Sequence, residues 1–106
     1  MQFRGGMSEL MRQASRVQRK VDQRKKELAD ETVEIGVGND QFKVTASGGG
    51  EITKVTISPA LLTAESLEMT QDLLVAAVNA ALKKAQEMVD AEVEKVTKGI
   101  KMPGGM

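Results

Sequence analysis

The apolar residues of this chain change their spacing twice, and that change limits the folds open to it more than any other feature. From Met7 to Leu28 they recur at steps of three and four (Met7, Leu10, Ala14, Val17, Val21, Leu28), with Arg24 alone out of place on the seam. From Val33 to Ile57 they alternate: Val33, Ile35, Val37, then Phe42, Val44, Ala46, then Val55 and Ile57. From Leu73 onward the helical spacing returns. Steps of three and four belong to a helix that lays one narrow stripe on a partner, whereas alternation belongs to a strand with one covered face. Helix, three strands and helix within 106 residues describe a single small α+β domain over 1–106, in the order α-β-β-β-α.

Local signals set the expected boundaries. Ser8 reads as an N-cap with Glu9 in the first turn, which predicts a helix from 8 to about 30 and a flexible tail over 1–7. Gly38-Asn39-Asp40 and Ser47 to Gly50 read as turns, so the three strands form an antiparallel meander. Ile52 is out of phase with Val55 and Ile57, which predicts a bulge or a late strand start. After Pro59 and a short connection, a second helix is expected from Ser66 to Lys98, ended by Gly99 and Pro103, with 102–106 as a loose tail. At ~1.5 Å per residue it reaches about 50 Å, far beyond a three-stranded sheet.

The two halves of that helix differ in kind. Leu73 to Val78 is apolar on every face, as expected of a segment covered by its own sheet and by a second body. Leu73, Leu74, Ala77, Val78 and Ala81 are therefore the expected homodimer interface. Further on, Leu82, Ala85, Val89, Val93, Val96 and Ile100 form a thin stripe among many charges. A thin stripe cannot hold up an isolated helix, so the free parts of the two helices are expected to pair antiparallel as a projecting arm.

Composition removes whole classes of chemistry. The chain has no Cys and no His, hence no disulfide, thiol nucleophile or imidazole base, and almost no route to zinc. Glu31/Glu34 and Glu92/Glu94 stand beside no nucleophile or metal-binding cluster and read as surface acids. No enzyme, metal or cofactor is expected. Gly48-Gly49-Gly50-Glu51 lacks a following Gly-Lys-Ser/Thr and joins two strands, so it is a hairpin and not a phosphate loop. The seven methionines fall mostly at chain ends or seam positions, where packing accounts for them. No apolar run approaches the ~20 residues that span a bilayer, and MQFRGGMSELMRQ has no apolar signal stretch, so a cytoplasmic protein without a membrane partner is expected.

Charge is distributed unevenly beneath a net value of zero. Residues 1–26 hold eight bases and two acids, a balance of +6, and the remaining 80 residues carry −6. Between Arg12 and Lys26 stand seven bases (Arg12, Arg16, Arg19, Lys20, Arg24, Lys25, Lys26) and one acid, Asp22. Arg12, Arg19 and Lys26 repeat every seven residues, about 10.5 Å apart on a helix, opposite the apolar seam. Asp22 can pair with Arg19 or Lys26 and mute the row in part. Solvated helix faces ordinarily mix signs; a seven-to-one face points to a polyanion. Only two aromatics, Phe3 and Phe42, are present and neither lies in the basic stretch, which disfavours base stacking and favours duplex phosphates.

Several stretches in order resemble the YbaB/EbfC family of bacterial nucleoid-associated proteins. They are Leu10-Met11-Arg12-Gln13-Ala14, Phe42-Lys43-Val44-Thr45, Gly49, Val55-Thr56-Ile57-Ser58-Pro59, Leu62, Asp72 to Ala81 and Met102-Pro103-Gly104-Gly105. The resemblance implies a tweezer-shaped homodimer that binds double-stranded DNA through helical arms, sits on the nucleoid and has no established catalytic site. It also implies roles in nucleoid organisation and gene regulation. The competing expectation from the same residues is a protein-interaction module whose basic arm grips an acidic protein.

Overall fold

The structure, a computed structural model, describes residues 2–99, with side chains described from Gly6. Helix α1 spans Gln2–Leu28, strands β1, β2 and β3 span Thr32–Val37, Phe42–Ser47 and Ile52–Ile57, and helix α2 spans Leu67–Lys98. Two short 3-10 turns, Pro59–Leu61 and Ala64–Ser66, make the connection into α2. Thr63 caps the second of them by accepting from the Ser66 N–H at 3.2 Å. The α-β-β-β-α order is the expected one, and β1-β2-β3 pair as an antiparallel meander with β2 in the centre.

The phase anomaly at Ile52 resolves as a bulge. Thr45 faces Lys54, yet its neighbour Ala46 faces Ile52, so Thr53 is the extra residue. That insertion returns Ile52 to the face carrying Val55 and Ile57, where it packs on the core.

The core lies between this face and α2. Phe42, Val44 and Ala46 of the central strand are fully buried against Ala77, Ala81 and Ala85, an i, i+4 ridge of the smallest helix-forming side chain. Small residues on the ridge let the helix axis come close to the strand, and Leu61 closes one end. The helix rests on β1 and β2 and barely touches β3. Val55 of β3 accordingly stays 41% exposed on a face that is otherwise covered.

Two sequence expectations need correction. Helix α1 begins at Gln2, so Ser8 is an interior residue and no N-cap, and residues 2–7 are helical where a loose tail is expected. An N-cap residue signals a start only where nothing upstream continues the turn, and here the turn continues through Gly5 and Gly6 to Gln2. Met1, the C-terminal tail and Pro103 lie outside the described residues.

A second small cluster forms the elbow where α1 meets the sheet. Leu28 is 1% exposed, and Val21 and Val89 are buried nearby. The β2–β3 hairpin docks here through its backbone: Gly48 N–H donates to Glu31 O at 2.8 Å and Gly49 N–H to Ala29 O at 3.1 Å. Past the elbow, the C-terminal half of α2 runs alongside α1, giving a shape of 75 × 22 × 18 Å. The radius of gyration is 20.9 Å, against about 13 Å for a compact chain of this length. The paired helices are thus a projecting arm.

Candidate nucleic-acid interface

The arm is built from opposite halves of one pattern. Val21 and Leu28 turn the apolar seam of α1 toward α2, and the same periodicity turns the cations away from it. Arg12, Arg16, Arg19, Lys20, Lys25 and Lys26 are all exposed. Arg12, Arg19 and Lys26 stand one heptad apart along a single side, with Arg16 and Lys20 beside them and Lys25 on the flank toward the seam.

Arg24 does not belong to that row. Its guanidinium, 30% exposed, turns into the seam and meets Glu92 of α2 at 2.5 Å and Glu27 at 3.0 Å. Glu92 also accepts from Lys95 at 2.7 Å. The hydrogen bonds to Glu92 and then Glu27 raise the Arg24 pKa above its usual value. The hydrogen bonds from Lys95 and then Arg24 hold the Glu92 carboxyl below its usual 4.5. Arg24 is thus a clasp between the helices and not a free cation. Sequence reasoning reads Glu92 as a surface acid and misses its place in the clasp, although one signal was available. Arg24 stands on the seam of α1, Glu92 lies on the flank of the α2 stripe one turn past Val89, and antiparallel pairing brings these opposite charges together.

The rest of the row is less muted than expected. Asp22 accepts from Gln18 Nε2 at 2.9 Å and makes no ion pair with Arg19 or Lys26. Arg12 has a loose, well-exposed contact with Glu9 at 3.5 Å. The lysines of α2 behave otherwise: Lys95 and Lys98 pair with Glu92 and Glu94, and Lys84 Nζ donates to Glu34 O. Cationic charge free to meet a ligand is therefore concentrated on α1.

The five expected interface residues divide. Ala77 and Ala81 are at 0% exposure inside the chain's own core, so a second chain cannot reach them. The alternation of β2 demands small partners at the ridge, and these two alanines fill that need. Leu73 and Val78 are half-buried against the same core. Leu74 remains open at 39% and Val75 beside it at 62%.

A hollow of about 200 Å³ at the elbow is lined by Ala29, Asp30, Ser47, Gly49, Glu51 and Thr53. Its two carboxylates would repel a phosphate. Among the described residues no group of three or more acids could hold a metal ion, and no helix is long and apolar enough to cross a membrane.

Comparison with known proteins places the chain in a family. The chain is 43% identical over 100 residues to a nucleoid-associated protein of Moorella thermoacetica, covering 94% of this chain and 96% of the relative. It is 42% identical over 100 residues to one from Pelotomaculum thermopropionicum, covering 94% and 95%. It is 38% identical over 98 residues to one from Ruminiclostridium cellulolyticum, covering 92% and 85%. Residues 3–100 match the YbaB/EbfC DNA-binding family, and the chain belongs to that family.

Proposed function

We propose that this protein coats duplex DNA on the nucleoid as a homodimer, gripping phosphates with the exposed cations of α1. The observation that carries the reading is the separation of charge on the arm. Six cations per chain (Arg12, Arg16, Arg19, Lys20, Lys25, Lys26) face solvent, whereas two of the four lysines of α2, Lys95 and Lys98, are paired with acids. A row with a 10.5 Å repeat and no aromatic partner suits backbone contact along a groove edge and reads no bases.

Apolar surface that the chain leaves open supports the dimer. Leu67, Leu74 and Val75 stand on α2 at helical spacing, and Val55 of β3, the strand that α2 barely touches, is open as well. These residues are 39–62% exposed, and a two-fold copy of the same face would cover them.

Fluorescence anisotropy of a labelled duplex across a salt series tests the reading. With six to eight phosphates neutralised per dimer, log affinity falls against log salt with a slope of about −5 to −7. A slope shallower than about −2 refutes the phosphate grip. Arg12→Glu, Arg16→Glu and Arg19→Glu together abolish binding while circular dichroism and dimer mass stay unchanged. Absence of binding at low salt would assign the basic helix to an acidic protein partner instead.

A further inference from the structure

The outer stripe of α1 contains one side chain that the phosphate grip leaves idle. Arg12, Arg16, Arg19, Gln23 and Lys26 follow one another at steps of four, three, four and three, the rhythm of the seam on the opposite side. Four of the five are cations. The fifth, Gln23, is exposed, and none of the hydrogen bonds among the described residues involves its side-chain amide. Gln18 differs, because its Nε2 already donates to Asp22 at 2.9 Å.

The cations are arranged symmetrically about Gln23. At about 100° per residue, Lys20 stands about 60° to one side of it around the helix and Lys26 about 60° to the other. Arg16 and Arg19 lie about 20° and 40° from it, again on opposite sides. Val21, which is buried, is about 160° away, so α2 backs this face without covering it. A helix resting on one strand of a duplex uses cations on one flank only. A helix lying in a groove meets phosphates on both flanks and base edges beneath its mid-line. The major groove, about 12 Å wide, is the one that admits a helix about 10–12 Å across. Adenine presents an amine donor and the N7 acceptor there, and a glutamine amide on the mid-line answers both.

We infer that α1 lies in the major groove, with Lys20 and Lys26 on the phosphates of opposite strands, and that Gln23 reads an adenine between them. The inference rests on the DNA-coating reading above and adds a sequence preference to it. The Gln23 Oε1 accepts from the adenine amine, and its Nε2 donates to N7. The cations read no bases; the one amide among them does. Arginines and lysines therefore set the affinity common to all duplexes and its salt slope, and Gln23 sets the difference between bases.

The test uses the full-length protein to select bound sequences from a duplex library with a randomised centre. Wild type enriches adenine at one fixed position of the bound site. Gln23→Ala, an exposed change to a good helix former, keeps helix content, oligomer mass and salt slope. It loses that enrichment, binds the selected duplex about tenfold more weakly, and matches wild type on a duplex lacking the selected adenine. Replacing the selected adenine with 7-deazaadenine, which has no N7 acceptor, weakens wild type and leaves Gln23→Ala unchanged. A steep salt slope with no enriched base in wild type overturns the readout and leaves the phosphate grip standing. So does a Gln23→Ala protein that selects the same adenine. A changed salt slope in Gln23→Ala also overturns it, because the amide would then be positioning the cations. If wild type binds no duplex at low salt, the DNA-coating reading itself fails and the base contact fails with it.

Discussion

The arm is fixed to the sheet at Gly48, and replacing that glycine with alanine is the sharpest test of the elbow. A methyl carbon added there would sit 2.1 Å from the Leu28 carbonyl oxygen and 3.2 Å from Val89 Cγ2. Ordinary contact begins at 3.4 Å, so the oxygen must retreat by about 1.3 Å (3.4 − 2.1). That oxygen is backbone at the end of α1, and moving it shifts the helix relative to the hairpin. Overpacking of this kind costs about 1–3 kcal/mol. The displacement also strains the Gly48–Glu31 and Gly49–Ala29 hydrogen bonds, each worth about 1 kcal/mol net. Restricting the unfolded chain returns about 0.4–1 kcal/mol. Gly48→Ala is therefore expected to destabilise the fold by about 2–4 kcal/mol in urea unfolding followed at 222 nm. Gly50→Ala is the control, because its new methyl meets nothing within 4 Å and its only penalty is a φ of +89°. It should cost about 1–2 kcal/mol. A Gly48→Ala protein within about 0.5 kcal/mol of wild type, or less affected than Gly50→Ala, would refute the backbone docking of hairpin on helix.

Three further outcomes follow from the arm. Glu92→Gln removes the clasp, and amide exchange along both arm helices should quicken at neutral pH while the salt slope for DNA stays as in wild type. Because the folded-state pKa of Glu92 is depressed, its stabilisation is complete above the usual 4.5 and is lost as pH falls through the lower folded value. The difference between wild type and Glu92→Gln should accordingly vanish on acidification below that value, and a difference that persisted or grew there would contradict the clasp. Asp22→Asn removes the one acid beside Arg19 and Lys26 and should tighten DNA binding about 2–5-fold at low salt, fading as salt rises; unchanged affinity would mean that Asp22 faces away from the bound duplex.

Much of this fold is legible because period alone separates its parts. Alternation at Phe42, Val44 and Ala46 marks the covered face of β2, and the slip at Ile52 forecasts the bulge at Thr53. What periodicity does not reveal is which partner consumes an apolar residue. Leu73 to Val78 is apolar all round, and the sequence alone cannot divide it between the chain's own sheet and a second chain. The division depends on the axis of α2 lying over β1 and β2. That placement buries Ala77 and Ala81 and strands Leu74, Val75 and Val55. The helix start is hidden for a different reason: Ser8 has the chemistry of a cap, but capping is a property of the backbone geometry before it, and the helix continues back to Gln2.

The same distinction decides the candidate site. Seven cations in fifteen residues are conspicuous in sequence, but charge density does not say which of them are free. Arg24 differs from Arg19 only in angle around the axis, and that angle turns it into the seam, where Glu92 and Glu27 hold it. An arginine with two carboxylates must give them up to meet a phosphate, so its net gain on DNA binding is small even though its charge is full. Arg12, Arg16, Arg19 and the three exposed lysines carry no such debt beyond the loose Glu9 contact. A salt slope counts cations that exchange counterions for phosphates. Arg24→Gln should consequently loosen the arm and leave that slope unchanged, whereas Arg19→Gln should reduce it by about 1–2 per dimer and leave the arm intact. The opposite pattern would return Arg24 to the DNA-binding row and require another explanation for the pairing of α1 with α2.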